Sequence, residues 1–518
     1  MPTNLADQVA ARVSSFHADV DAATKRWLKM KSPKDFRLME GELAGMSRKL
    51  GDEVAGDVLG KRLATPEFRA CTWAAAKAGG RFRSGGPRTV KVTFLGGGQR
   101  RYEVPYLKPD RRGLPGRPRG SGRRGHGGVG LYPSLAVLGI SDGITPALAC
   151  EICRQVTDSD SVRSGRQALA RRGVDLGHKQ TLRIVGKVGR RAVEQRNRWL
   201  VDHLNRSPID DGPLAGKRVF ISTDGGRCRM RIPARSGRRR SKTRHRGYRA
   251  PWQESKQIVI YVLDDEGNID ESFQPVYDGT MNDCNELFRM LLGYLKALGA
   301  HQAAELIVVA DGAKWIWDRI DDLASELGVE RERVTQVIDW FHAVQTLHTI
   351  AAIPAQWSKR RRTRWVGKAK DLLARGRIDA LALHIRALAV GRRAKKVLSH
   401  VGYFTRNAAR MRYQQFRARG VPRGSGAMES AVRRIVNLRM KSNAKFWLIE
   451  NAEAMLLMRS YLKAGRFDSL FDWSRASSVH WWCVDPPELL QHPPGDGVCT
   501  GASSEQVDAV HQPTRRAA

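Results

Sequence analysis

Three acidic residues stand where the sequence could do metal-assisted chemistry: Asp224 in ISTDGG, Asp311 in VVADGAKW and Glu429 in GSGAMESAVRR. Asp224 closes the strand-like run Arg218–Thr223, and Asp311 closes Glu305–Ala310. Each Asp is followed by glycine, which lets the backbone turn sharply and keeps the carboxylate accessible. In a mixed α/β sheet, sites form beyond the carboxyl ends of strands. The two acids lie 87 residues apart, and they meet at one sheet edge if their strands are neighbours. Two close carboxylates repel one another unless a cation lies between them, and hard oxygen ligands favour Mg²⁺ or Mn²⁺. Two such ions, about 3.5–4 Å apart, can activate a water and stabilise the leaving oxygen of an in-line phosphoryl transfer. The third acid such a site needs is expected from a helix crossing the same edge. Glu429 opens a helix whose apolar face is Met428, Ala431, Val432 and Ile435, and it lies beside that face. Plainer readings stand next to these. Glu429 suits a helix start and could pair with Arg433 one turn on. Asp224 and Asp311 suit turns before glycine.

Asp339 and His342, in VIDWFHAVQ, fall at i and i+3 and share a helix face. They could brace the site or contact a substrate near it, or be a helix cap and a core-edge histidine. Cys150 and Cys153 form a lone C-x-x-C with no second pair at zinc spacing, and read as ordinary buried thiols.

These residues need a framework. Residues 1–80 read as helical, and 88–106 as a β-hairpin around a Gly-Gly-Gly turn. Helices are expected near 146–156, 160–172 and 178–203. From Lys217 the pattern changes to short β-rich runs at 218–223, 228–232 and 257–263, then a helix at 282–298, a strand at 305–310, a helix near 313–327 and a strand at 335–338. The first three strands are close enough for an antiparallel meander. The later ones need helical crossovers and should be parallel. That is the strand–helix order of an RNase-H-like fold. Helices fill 340–420, and a last helical block runs from about 426 to 463. The expected units are therefore an N-terminal helical region (1–80), a hairpin with a basic Gly/Pro/Arg-rich segment (81–130), a helix-turn-helix-like domain (131–212), a catalytic core (213–340 and 423–465) split by a helical insertion (341–422), and a tail (466–518) expected to be largely disordered.

Charge points to the partner. Lys and Arg number 90 against 52 acids in 518 residues, a net +38. Such a charge repels itself in a compact state, and nucleic acid is the polyanion that usually neutralises it. No apolar run is long enough for a membrane span, and the start lacks the pattern of a secretory signal. Segment 81–130 has 13 basic residues against two acids. Arg117 and Arg119 sit there in a Gly-Arg-Pro-Arg-Gly core, either a minor-groove hook or, with Arg123 and Arg124, a linker gripping phosphates. Lys179, Gln180 and Arg183 lie near the start of a helix placed like a recognition helix. Segment 229–249 carries ten basic residues and no acid, among them Arg238, Arg239, Arg240, Lys242 and Arg244. It reads as an arm clamping a phosphate backbone. Arg360, Arg361 and Arg362 read the same way, and Trp357 and Trp365 near them could stack on a base or belong to a core.

Taken in order, STDGGR, VVADGAKWIW, VIDWFHAVQ and GSGAMESAVRRIVNLRMK resemble the DDE transposases of bacterial insertion sequences, over about residues 130–465. The Asp339-x-x-His342 element is similar to that of Mutator-like and hAT-like transposases. Asp311 and Glu429 are 118 residues apart, consistent with the helical insertion such enzymes carry. The resemblance implies Asp224, Asp311 and Glu429 as catalytic metal ligands for two Mg²⁺ or Mn²⁺ ions. It also implies hydrolysis at a DNA end followed by 3′-hydroxyl attack on target DNA. The implied partners are double-stranded terminal repeats and target DNA, bound by a homodimer or higher oligomer in the bacterial cytoplasm on the nucleoid. Three alternatives are a nuclease or resolvase without strand transfer, a DNA-binding regulator that lost catalysis, and a basic ribonucleoprotein scaffold.

Overall fold

The computed structural model describes residues 4–78, 82–110, 130–233, 248–442 and 444–476. Three helices begin the chain: Leu5–Trp27, Pro33–Ala64 and Pro66–Ala78. Ser32 caps the second, its side chain accepting from the Asp35 N–H with Pro33 in the first turn. Strands β1 (Phe82–Thr93) and β2 (Gln99–Pro109) form the expected hairpin. Its turn is held by Asp52, which accepts from Gly96 N at 2.9 Å and Gly98 N at 2.6 Å. Leu63, Phe68, Val92, Phe94, Val104, Leu135 and Ile140 make a small core between helices and hairpin.

The helices Pro146–Asp158, Val162–Ala170 and His178–Leu204 follow, within a few residues of the expected bounds. Cys153 is buried on the first of them. Next come β3 (Arg218–Arg229), β4 (Ile232–Pro233), β5 (Tyr248–Arg249), β6 (Trp252–Leu263), β7 (Val276–Thr280), β8 (Glu305–Ala310) and β9 (Val334–Ile338). The two short strands β4 and β5 pair with each other. The other five form one mixed sheet in the order β7-β6-β3-β8-β9. β3, β6 and β7 are antiparallel neighbours; β8 and β9 run parallel to β3. Helix Cys284–Ala297 crosses from β7 to β8, and Lys314–Trp317 with Ile320–Leu327 crosses from β8 to β9.

The meander differs in detail from the sequence reading. β3 runs straight through Gly225-Gly226 to Arg229, so 228–232 is not a separate second strand. The third member is β7, whose run Val-Tyr-Asp-Gly-Thr carries no strong strand signal. The block 426–463 is also broken. It consists of the helix Gly426–Val432, a π-helical turn Arg433–Asn437, a loop, and the helix Ile449–Lys463. Helices fill the insertion as expected: Trp340–Ala352, Lys359–Ala374, Ile378–Arg386, Ala394–Arg406 and Tyr413–Ala418.

One continuous core runs from Ile144 to Trp473 and takes in the sheet, the insertion and the helices before the sheet. The boundary expected near residue 212 is therefore no break in packing. Buried Arg196, on His178–Leu204, fastens it. Its guanidinium donates to Asp278 Oδ1 and Gly279 O, each at 3.1 Å, and to Glu453 Oε1 at 2.8 Å. Tyr294 donates to the other Asp278 oxygen at 2.7 Å. A buried charge is tolerable only when paired and hydrogen-bonded in this way. Among the described residues no helix is long and apolar enough to cross a membrane.

Candidate active site

Asp224 lies on β3 opposite Gln257 of β6, just past the last residue that pairs with β8. Its other neighbour strand has ended there, so the side chain meets the residues that follow β8 and β9. Asp311 directly follows β8, and Asp339 directly follows β9. The parallel register Ser222↔Val309 and Ala310↔Ile338 brings Asp224 and the ends of β8 and β9 to one edge of the sheet.

The fourth acid arrives by a close approach. A methyl group at Gly226 would lie 2.8 Å from Val436 Cγ1 and 3.3 Å from Val432 Cγ1. Only glycine there lets the segment 426–437 pack onto β3. Met428, Ala431, Val432 and Ile435 are buried in that contact face, and Glu429 stays exposed beside it. Arg433 forms no ion pair with Glu429: among the described residues, no hydrogen bond or salt bridge takes this carboxylate. The simple helix-start pairing is thus not what Glu429 does.

Asp339 is fully buried. Its Oδ1 accepts from the His342 N–H at 2.9 Å, capping the helix Trp340–Ala352. Its Oδ2 accepts from both the N–H and the hydroxyl of Ser425, each at 2.5 Å. Burial opposes ionisation, but the hydrogen bonds from His342 and Ser425 outweigh it and hold this carboxyl at about 2. The His342 ring stands with Nδ1 3.4 Å from Oδ1, an ion-pair contact and not a hydrogen bond. The Asp339 carboxylate nevertheless raises the affinity of His342 for a proton against the effect of burial, and Asp311 and Asp224 add to it. Ligand atoms of Asp339, His342 and Glu429 all lie within 4.8 Å of one another.

Asp224 and Asp311 stand close enough to repel. Burial first, and Asp311 next among the charges, push the Asp224 carboxyl above its ordinary range. The Asp224 Oδ1 accepts from the Gly225 N–H at 2.6 Å, and Asp311 Oδ1 from the Ala313 N–H at 2.9 Å. Among the described residues, neither carboxylate is bonded to a Lys or Arg. Asp224, Asp311 and His342 are therefore linked electrostatically, while the tighter ligand-distance group is Asp339, His342 and Glu429. Asp224, Asp311 and Glu429 do not by themselves form a group at that spacing among the described residues.

The donor set bears on which residues suit a metal. Asp339 has both oxygens engaged by three protein donors, so it fits a bracing role better than a ligand. Asp224, Asp311 and Glu429 keep lone pairs open and offer hard oxygen donors suited to Mg²⁺ or Mn²⁺. His342 could add one nitrogen.

Several residues at the site carried no sequence signal. Tyr403, on Ala394–Arg406, packs its ring so tightly on Gly312 that a methyl there would lie 2.1 Å from Cε2. Burial, with Asp311 and Asp339 nearby, pushes the Tyr403 phenol up. Ser425 was hidden in a Gly/Pro-rich stretch. Glu254, beside Gly225, adds another negative charge near Asp224.

The basic residues are more dispersed. Arg117, Arg119, Arg123, Arg124, Arg238, Arg239, Arg240, Lys242 and Arg244 lie outside the described residues. Lys179 and Arg183 are exposed at the start of His178–Leu204, and Gln180 is half-buried. Arg183 and Lys187 both pair with Asp142, at 3.3 and 2.6 Å. Arg360 and Arg361 are exposed, and Arg362 donates to Ala355 O at 3.2 Å. Trp357 and Trp365 are buried core residues; Trp365 stacks on His384 at 4.8 Å, so neither offers a free face to a base. A separate cavity of about 420 Å³ in the insertion is lined by Arg375, Arg377, Arg417 and Arg423. Arg375 is paired with Asp371.

No protein-family model matches this chain, and no curated protein or solved structure matches it either.

Proposed function

We propose that this chain is a DDE-type transposase, with an RNase-H-like core that cleaves a DNA end and joins it to target DNA. The observation that carries the reading is the convergence of Asp224, Asp311, Asp339 and Glu429 at one edge of the mixed sheet, three of them with no basic partner among the described residues. A structural role does not require unpaired carboxylates to gather in a chain of net charge +38. A cation that binds there does.

Asp224, Asp311 and Glu429 would hold the divalent ions, which when bound supply charge neutralisation at the scissile phosphate and an activated oxygen nucleophile. Asp339 acts through others. It ties the end of β9 to the turn that launches Glu429, and fixes His342 beside the acids. His342, whose affinity for a proton the Asp339 carboxylate raises, can donate to a phosphate oxygen or hold a proton near the leaving group. The remaining basic surface would hold the duplex through its phosphates, independently of sequence.

The test is Mg²⁺-dependent nicking of a duplex bearing the element's end. Asp224→Asn, Asp311→Asn and Glu429→Gln should each abolish nicking while leaving duplex affinity within a few-fold, because affinity comes from distant Lys and Arg. Nicking at the wild-type rate by any of the three removes that residue from the site. Nicking that needs no metal removes the mechanism.

A further inference from the structure

Where β3 and β6 run on past the carboxylates, they carry an unusual surface. Trp252 is 44% exposed and Tyr248 is 43% exposed. Each is packed against a guanidinium: Arg229 lies 5.4 Å from the Trp252 ring, and Arg231 lies 4.6 Å from the Tyr248 ring. Arg229 also sits 5.4 Å from the ring of Phe446, which meets Tyr248 edge-on at 5.5 Å. The surface is built and not a chance cluster of side chains. Trp447 donates its N–H to Arg229 O at 2.9 Å, and Arg231 N donates to Trp447 O at 2.7 Å, so the loop before Leu448 is laced to the end of β3. Met230 N donates to Pro251 O at 2.9 Å, which fixes β6 on the other side. The acid nearest on β6, Glu254, is paired with Lys256 at 3.0 Å.

Exposed aromatic rings with arginines packed on them have two requirements from a ligand: a flat π-face and negative charge. Unpaired nucleotides meet both, since bases stack on aromatic rings and their phosphates meet the arginines. Paired bases inside a duplex present no free face. We propose that Trp252, Tyr248 and Phe446 form a stacking platform for unpaired bases of a DNA strand. This rests on the DNA-processing reading above and names the form of the substrate: an end whose strands have separated. Arg229 is five residues beyond Asp224, about 17 Å along a strand. Strand alternation puts the two on opposite faces of the sheet. The platform is therefore a second contact outside the carboxylate cluster, reached by DNA that passes around the sheet edge.

The experiment compares the full chain with Trp252→Ala, Tyr248→Ala and Trp252→Phe, binding a 20-nucleotide oligo-thymidine strand and a blunt duplex of equal length at fixed salt. Stacking is worth about 1–3 kcal/mol per base. Each Ala variant should thus lose about 5- to 150-fold in single-strand affinity while duplex affinity stays within two-fold. Trp252→Phe should recover most of the loss, because it keeps a ring. Equal losses on both DNAs, or no loss on either, overturn the platform. So does a change in sedimentation without a change in DNA binding, which would assign the surface to a second copy of this chain. Binding does not require cleavage. If the wild type never nicks DNA but its single-strand affinity depends on Trp252, the enzymatic reading fails and the platform stands.

Discussion

Asp339 and Ser425 are 86 residues apart, yet the Asp339 carboxylate accepts both the N–H and the hydroxyl of Ser425 at 2.5 Å. One buried side chain thereby joins the end of β9 to the start of the Glu429 helix across the whole helical insertion. Gly424 makes this join possible, because a methyl there would lie 2.9 Å from the Phe341 ring.

That join should be visible in acid. A carboxyl held at about 2 instead of the usual 3.8 stabilises the fold by about 2 kcal/mol at neutral pH, at about 1.4 kcal/mol per tenfold change in proton affinity. The folded value is depressed. The contribution is therefore complete above about pH 4 and is lost as pH falls from there towards 2. Asp339→Asn should be less stable than wild type at pH 6 in urea unfolding, and the gap should narrow by about 1.5 kcal/mol by pH 2.5. A gap that stays constant over that range would mean the carboxylate is not held this way.

Asp224 has the opposite sign. Burial and Asp311 raise its folded value, so its ionised form works against the fold once pH rises above the unfolded value. Without metal at pH 7, Asp224→Asn should therefore melt above wild type. With Mn²⁺ at about 100 times its dissociation constant, wild type should gain about 2.7 kcal/mol, and the variant should gain little. Calorimetry with and without Mn²⁺ reads both effects. Equal stabilisation of the two proteins by Mn²⁺ would place the ion elsewhere.

Much of this edge was legible in the sequence. Arg218–Thr223 and Glu305–Ala310 are short, β-branched and bounded by Asp-Gly, and both form strands; Asp311 follows its strand, whereas Asp224 lies within the longer β3. What misled was glycine. Gly225-Gly226 reads as a turn, but β3 continues through it, and Gly226 is needed to admit Val432 and Val436. β7 was missed for a related reason: Asp278 and Gly279 weaken any strand signal. Both are tolerated because Arg196 and Tyr294, remote in sequence, satisfy Asp278. Ser425 and Tyr403 gave no local sign, since their roles come from contacts across the insertion.

The Gly226 contact gives a direct packing test. Gly226→Ala should destabilise the protein by about 1–3 kcal/mol through overpacking against Val436. It should also slow nicking by shifting Glu429. Combining it with Val436→Ala should restore part of both losses, giving a coupling of at least about 1 kcal/mol between these neighbours. Strict additivity in a double-mutant cycle would show that the two residues do not touch.

The arginine-lined cavity of the insertion tests where duplex affinity arises. Arg377, Arg417 and Arg423 come from three separate segments around one cavity of about 420 Å³. Among the described residues no carboxylate lines it, and of the four arginines there only Arg375 has an acidic partner. Arg423 lies two residues before Ser425, and its carbonyl accepts from the Trp340 N–H at 2.8 Å. A phosphate held in this cavity would therefore sit next to the segment that launches Glu429. Each neutralised phosphate contributes about 0.9 to the slope of log affinity against log salt. Changing all three arginines to Ala should flatten that slope by up to about three, with a loss of duplex affinity largest at low salt. Nicking should fall further than binding, because a strand released here is released beside the acids. An unchanged slope, measured by fluorescence anisotropy between about 50 and 200 mM salt, would show that these arginines face solvent and that the duplex follows another path.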